Sequence, residues 1–477
     1  MVFSSVTFVF YFLPLVLVAY LLLPARNIVL LFASLVFYAW GETYFIAVLM
    51  VSIGLNYLFG ILIEKSYDEK RRTTALFLGL GADLGLLCLF KYLNFIADNL
   101  NVFLSTGGYA PIEIHHIHLP LGISFFTFQA MSYLVDVYRR TVPAERNIFN
   151  LGLYIAMFPQ LVAGPIVRFN QIADQLHKRS VTTDAFSLGV RRFVVGLGQK
   201  MLIANILAVP ADAIFAVPSE GLTPAIAWLG VVAYTLQIYF DFAGYSNMAI
   251  GLGHMFGFTL PENFNYPYIA QSITEFWRRW HISLSRWFRD YLYIPLGGNR
   301  KGSYRTYANL FVVFFLCGLW HGASWNFVVW GLFHGFFLVV ERVGLGAVLE
   351  RLAMPFRHVY SLMVILCGWV IFRSETLTYA GDYLAAMAGR SAGDGMLYSA
   401  HQYLTREVMV ILVVGIIGSA PVVPFVRDFL QRACASRMSA GGHIIQGSRL
   451  IVFTGLLLLI AMSLASQTHN PFIYFRF

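Results

Sequence analysis

Long unbroken apolar runs, such as Thr7–Leu23 and Ile451–Leu464, limit this chain more than any other feature. Runs of this kind are solvated by lipid, where every backbone N–H and C=O needs a partner inside the protein. The spanning elements must then be helices or a closed barrel. Barrel strands alternate polar and apolar residues over roughly 10 positions. These runs do not alternate, so they are predicted to be transmembrane helices. Composition agrees: 58% of the 477 residues are apolar and 12% are charged, where a soluble domain carries about 25% charge. The fold class is an all-α polytopic membrane protein.

Spans are predicted near 7–24, 28–41, 43–63, 74–94, 118–137, 185–207, 223–257, 304–320, 322–341, 358–373, 405–425 and 450–466. The 223–257 run is too long for one straight crossing and is expected to bend or tilt. Met1–Ser5 lacks the basic leader of a signal peptide, so the first run is expected to be a retained span. The 149–167 stretch is interrupted by Pro159 and Pro165. Its flanks are both basic, Arg139, Arg140 and Arg146 before it and Arg168, Lys178 and Arg179 after it. Flanks on one side predict a re-entrant segment. No internal repeat or linker divides the chain, so a single integral-membrane domain is expected over 1–477.

The net charge of +9 needs no nucleic acid, since Lys and Arg mark cytoplasmic loops in membrane proteins. Lys65 to Arg72, Arg278 to Lys301 and Arg427 to Arg449 read as cytoplasmic, and 95–117 and 208–222, which lack Lys and Arg, as outside. Counting spans places both termini outside. Cys88, Cys317, Cys367 and Cys434 are scattered and show neither a disulfide framework nor a zinc spacing. His115, His116 and His118 cluster in an outside loop, but no carboxylate or cysteine completes a metal set there. No metal is expected.

Polar groups at membrane depth are functional candidates by default. Gln129 and Asp136 share one predicted span, Arg191, Arg192, Gln199 and Lys200 another, and Gln237, Asp241 and Asn247 a third. The plainer reading is that they hydrogen-bond helices together. As a set they point to a polar interior.

Two segments are richer. Residues 271–300 read QSITEFWRRWHISLSRWFRDYLYIPLGGNR. On a helical wheel Arg278, Arg279, Arg286 and Arg289 share a face with Glu275, while Trp277, Trp280, Leu284, Trp287, Phe288 and Tyr291 lie opposite. An amphipathic helix at the cytoplasmic membrane surface is expected over about 271–301, with His281 at the edge of its aromatic face. Its arginines serve either as an anchor or as a gate facing the phosphates of an anionic donor. Residues 317–335 read CGLWHGASWNFVVWGLFHG. No hydrophilic loop separates the two spans here, so the hairpin turns inside the protein or the membrane, with Gly322 expected to supply flexibility. His321, between Trp320 and Trp325, would sit at depth beside a polar cavity. Neutral imidazole, the form favoured away from water, takes a proton from a hydroxyl. His334 is expected to be structural.

These blocks resemble the membrane-bound O-acyltransferase superfamily, and within it the alginate O-acetyltransferase branch of bacterial exopolysaccharide acetylases. The resemblance also rests on MVFSS at the start, LPLGISFFTFQAMSYLVDVYR at 119–139, FPQLVAGPIVRF at 158–169, YFDFAGYSNMAIGLG at 239–253, PENFNYPYIAQS from 261, and NPFIYFRF at the end. It implies about 11–13 transmembrane or re-entrant helices in a ring around a tunnel. It implies that His321, of the WHG motif, is the catalytic residue and His281 its companion. Arg278, Arg279, Trp280, Asp241, Asn247, Gln237, Trp320 and Trp325 are then candidates for substrate or donor binding. Two positions depart from the alginate pattern: an acid is expected after GYS, where Asn247 stands, and Ser324 and Trp325 differ after WHGA. A related polymer such as cellulose is therefore carried beside alginate.

The resemblance further implies acetyl-CoA as a cytoplasmic donor, no bound cofactor, and a periplasmic partner that modifies the polymer together with other polysaccharide-synthesis proteins. Multi-pass placement in the bacterial inner membrane follows from the same resemblance. D-alanyl transfer to teichoic acid is the alternative within the superfamily. A polysaccharide exporter or transporter is the alternative outside it, although the internal repeat common in transporters is not evident.

Overall fold

In the computed structural model all residues are described except 392, 394, 396, 436–439 and 467–477. The closing NPFIYFRF block and part of the third basic stretch therefore lie outside the described residues. Among those described there is helix and loop but no strand, as the lipid argument requires.

Among the described residues six helices are long and apolar enough to cross a membrane: Ile46–Lys65, Glu69–Thr106, Thr183–Phe215, Pro224–Met255, Trp325–Arg351 and Met354–Arg373. The chain is a multi-pass membrane protein. The span predicted at 74–94 runs on to Thr106 through a π-helical turn at Cys88–Tyr92, so part of the predicted outside loop is helix. The segment predicted to span 405–425 is divided into Arg406–Gly418 and Val422–Ala435.

Pro224–Met255 is the hub. It is one continuous helix of 32 residues, and 78% of its most apolar stretch is buried, against 28% for Trp325–Arg351. A helix that is apolar all round belongs in an interior, while the outer helices turn apolar faces to lipid. Thr183–Gly198 packs against the hub backbone to backbone. A Cβ on Gly196 would lie 2.5 Å from the Gly244 carbonyl oxygen, and one on Gly244 would lie 2.7 Å from that of Gly196. Small residues at such a seam let membrane helices approach closely.

The 149–167 stretch forms two short helices, Ile148–Ala156 and Phe158–Leu161, with an extended break at Met157. Residues 150–167 are all buried. Irregular backbone at this depth is tolerated where protein covers it, which fits the re-entrant reading. Arg139 and Arg168, one from each basic flank, also come together. Arg168 pairs with Asp290 at 2.6 Å, and Arg139 donates to the Asp290 carbonyl at 3.1 Å. Arg72 donates to the Tyr138 carbonyl at 2.7 Å. Three basic segments, from 65–72, 139–168 and 278–301, thus gather on one face.

Candidate active site

The site is built on a tight hairpin. Ser303–His321 and Trp325–Val340 are joined by residues 322–324 alone. Two glycines let the helices touch: a Cβ on Gly318 would lie 2.2 Å from the Phe327 carbonyl oxygen, and one on Gly331 2.2 Å from that of Phe314. Gly322 departs from expectation. Its φ of −171° is extended backbone that any residue adopts. Glycine is needed there for room, because a Cβ would meet the Phe327 ring at 2.2 Å.

His321 is the last residue of its helix and is 4% exposed. Trp320, Trp330 and Phe372 present edges to it, with centroids at 4.9, 4.9 and 5.4 Å. The imidazole lines a cavity of about 360 Å³ with Trp320, Lys91, Asn94 and Ser124. His116 and His118, both exposed, also border it. Two of the three histidines of the cluster that showed no metal set in the sequence therefore stand at an exposed edge of this cavity. Among the described residues no group of three or more His, Cys, Asp or Glu could hold a metal.

His281 breaks the predicted amphipathic helix in two. Its φ of +43° is left-handed, a conformation that costs a non-glycine residue about 1–3 kcal/mol. Ile273–Arg279 ends before it and Ile282–Phe288 begins after it. The turn is held by Asn263, whose Oδ1 accepts from Ser283 N at 3.2 Å and Ser283 Oγ at 2.8 Å and lies 3.2 Å from His281 Nδ1. An oxygen already accepting two bonds assigns the ring proton to Nδ1. That leaves a lone pair on Nε2, which is buried and has no hydrogen-bond partner among the described residues. Ser283 Oγ in turn accepts from Ile166 N at 3.0 Å, tying the re-entrant segment to this turn. The aromatic face of 271–301 is not turned to lipid. Trp277, Trp280, Trp287 and Phe288 are all buried, and Trp287 stacks on Phe128 at 3.9 Å.

A second cavity, of about 550 Å³, lies at the other end of Trp325–Arg351. Arg278, Arg342 and Arg357 line it with Glu275, Glu341 and Glu350. The Glu341 carboxylate accepts from Ile273 N at 2.6 Å and Thr274 N at 2.9 Å, capping the helix that leads to His281. Between the cavities stands a column of rings. His334 lies 5.2 Å from Trp277 and 5.0 Å from Trp330, and Trp330 lies 4.9 Å from His321. His334, predicted to be structural, is a buried member of that column.

The other candidates divide. Trp320 touches both histidines inside the site. Arg278 lines the second cavity. Arg279 is engaged by Glu275 and the Asn265 carbonyl, at 2.8 and 3.1 Å. Trp280 is packed among Phe264, Phe276 and Trp369. Asp241 pairs with Lys200 at 2.7 Å, both buried. Asn247 accepts from Arg192 and donates to Gln199. Both therefore brace the hub against its neighbour, the plainer of the two readings. Gln237 is buried on the hub and lines neither cavity. Trp325 is exposed, donates to Asn99 Oδ1 at 2.9 Å, and lies outside the His321 cavity. Lys91 went unremarked in the sequence, although a lone lysine inside an apolar span is the kind of signal that flags a site.

The family model described as MBOAT, membrane-bound O-acyltransferase family, matches residues 112–380. The chain belongs to this family. It is a membrane-bound O-acyltransferase, and the exporter alternative falls. Over its whole length it is 44% identical to the whole of a Pseudomonas putida protein named probable alginate O-acetylase AlgI. It is also 33% identical over its whole length to 98% of a Helicobacter pylori peptidoglycan O-acetyltransferase. A Bacillus subtilis teichoic acid D-alanyltransferase is 29% identical, over 46% of this chain and 58% of its own.

Proposed function

We propose that this enzyme, in the bacterial inner membrane, takes acetyl groups from cytoplasmic acetyl-CoA and delivers them outward for O-acetylation of an exopolysaccharide, alginate or a relative of it, through a periplasmic partner. The observation that carries this is His321, a buried imidazole at the end of the helix Ser303–His321 that lines a cavity. The whole-length relatives are named for O-acetyl transfer, while the D-alanyl relative matches less than half of the chain. The gathering of Arg72, Arg139 and Arg168 near Asp290 supports a cytoplasmic face there. The second cavity opens near that face, where Arg278, Arg342 and Arg357 suit a donor's phosphates.

In this reading the acceptor hydroxyl gives its proton to His321 as its oxygen attacks the thioester carbonyl. The C–S bond then breaks and the coenzyme thiolate leaves, taking up a proton. His281, whose ring lies 5.9 Å from that of Trp320, assists by positioning the reacting groups. The test is His321→Gln, which keeps a polar group but takes no proton near neutral pH. Acetyl content of the secreted polymer, per unit of variant in the membrane, should fall about 10²–10⁴-fold. Wild-type acetylation by this variant would sink the mechanism. Sidedness is checked separately: a cysteine at Lys301 should be labelled only from the cytoplasm, and one at Tyr109 from outside.

A further inference from the structure

The backbone just before His321 is gripped from outside its own helix. The last carbonyls of a helix have no partner within it. Here the Leu319 carbonyl accepts from the Tyr92 hydroxyl at 2.7 Å, and the Trp320 carbonyl accepts from the Lys91 ammonium. The two donors are consecutive residues, and so are the two acceptors. Successive side chains of an α-helix diverge by about 100°, which would turn one donor away. Lys91 and Tyr92 instead close the π-helical turn Cys88–Tyr92, whose wider winding lets neighbours point more nearly together. Turns of this kind cluster at functional sites.

Lys91 is held on a further side by Ser124 Oγ at 3.1 Å, and its ammonium lies 5.9 Å from the Trp320 ring. Its contacts are a hydroxyl, a carbonyl and an indole. A lysine kept at membrane depth on such partners is costly. Its charge does suit the negative end of the helix dipole at His321. Lys91, Ser124, Trp320 and His321 all line the same cavity.

We infer that Lys91 and Tyr92 are positioning residues for acyl transfer: they clamp the Leu319–Trp320 backbone and so fix where the His321 imidazole stands in the cavity. This rests on His321 acting as the base. Displacing a reacting group by about 1 Å can cost about 10²-fold in rate, so a clamp on the preceding two carbonyls bears directly on turnover.

The experiment compares Tyr92→Phe, Lys91→Met, Lys91→Arg and the Tyr92→Phe/Lys91→Met pair, each alone and with His321→Gln. Acetyl content of secreted polymer is normalised to variant protein in the membrane, and Tm is measured on the purified chain in detergent. Tyr92→Phe removes one oxygen and Lys91→Met one charge; each should lower acetylation by about 10²-fold while Tm stays near wild type. The pair should be little worse than the worse single, since both hold one segment. Lys91→Arg should recover part of the loss, and none of the changes should lower the residue of activity left by His321→Gln. Wild-type acetylation by Tyr92→Phe and Lys91→Met overturns the clamp. So does a loss that only tracks missing protein, with Lys91→Arg no better than Lys91→Met. Normal acetylation by His321→Gln alone would instead refute the base, and the clamp with it.

Discussion

His281 and His321 share one indole as a neighbour: the Trp320 ring lies 5.9 Å from the first imidazole and 4.9 Å from the second. The two histidines are thus neighbours around one ring, and their roles should separate on substitution. His281→Gln should impair acetylation severely but leave more activity than His321→Gln. Asn263→Ala should reproduce part of that defect, because it frees the ring that Asn263 orients. It also leaves Ser283 without its acceptor, a loss worth about 1–3 kcal/mol, visible as a lowered Tm. Full activity in Asn263→Ala would mean that the orientation of His281 does not matter.

The Lys200–Asp241 pair predicts a loss of stability. Removing one partner of a buried ion pair costs about 3–5 kcal/mol, while replacing both with apolar groups is often near neutral. Asp241→Asn should therefore lower the Tm, and Lys200→Met/Asp241→Leu should regain most of it with acetylation restored. If the double variant folds but stays inactive, Asp241 handles substrate after all.

The hairpin seam predicts a second such loss. Gly318→Ala and Gly331→Ala each drive a methyl group into a backbone carbonyl oxygen at 2.2 Å, and overpacking of this kind costs about 1–3 kcal/mol. Thermal unfolding in detergent should show both below wild type. Gly81→Ala, where a Cβ meets nothing within 4 Å, is the control and should match wild type.

Acid should weaken the face around Asp290. Burial opposes its charge, but the hydrogen bond and charge of Arg289 and the charge of Arg168 outweigh this and hold its carboxyl below the usual carboxylate range. A lowered folded pKa stabilises the fold above the unfolded value of about 3.9 and loses that stabilisation as pH falls through and below it. The Tm gap between wild type and Asp290→Asn should thus be open near neutrality and close as pH falls below about 4. A gap that widens in acid would reverse the assignment.

The apolar runs made the fold class legible, and the prolines and basic flanks made the buried segment at 149–167 legible too. His321 stood out as a histidine at a loop-free turn inside an apolar run, a place that also suits a core histidine bonded to a carbonyl, and it was the WHG resemblance that singled it out for catalysis. What escaped notice depended on local backbone geometry. A helical wheel assumes one continuous helix, so it could not foresee the left-handed turn at His281. Nor does it know whether an aromatic stripe meets lipid or protein, and here Trp287 meets Phe128. Lys91 was lost inside a span defined by its average hydropathy. Asp241 and Asn247 looked like candidates because burial selects polar groups for helix bracing as readily as for chemistry.

A protein with a polar hollow at each end of one hairpin stands near to being a channel. Trp277, His334, Trp330 and His321 line up between the hollows with rings in contact. On the proposed reading, the acetyl arm of a donor seated beside Arg278 must thread past these rings to reach His321, so the route suits a thin chain far better than a file of water and the proton leak such a file would carry.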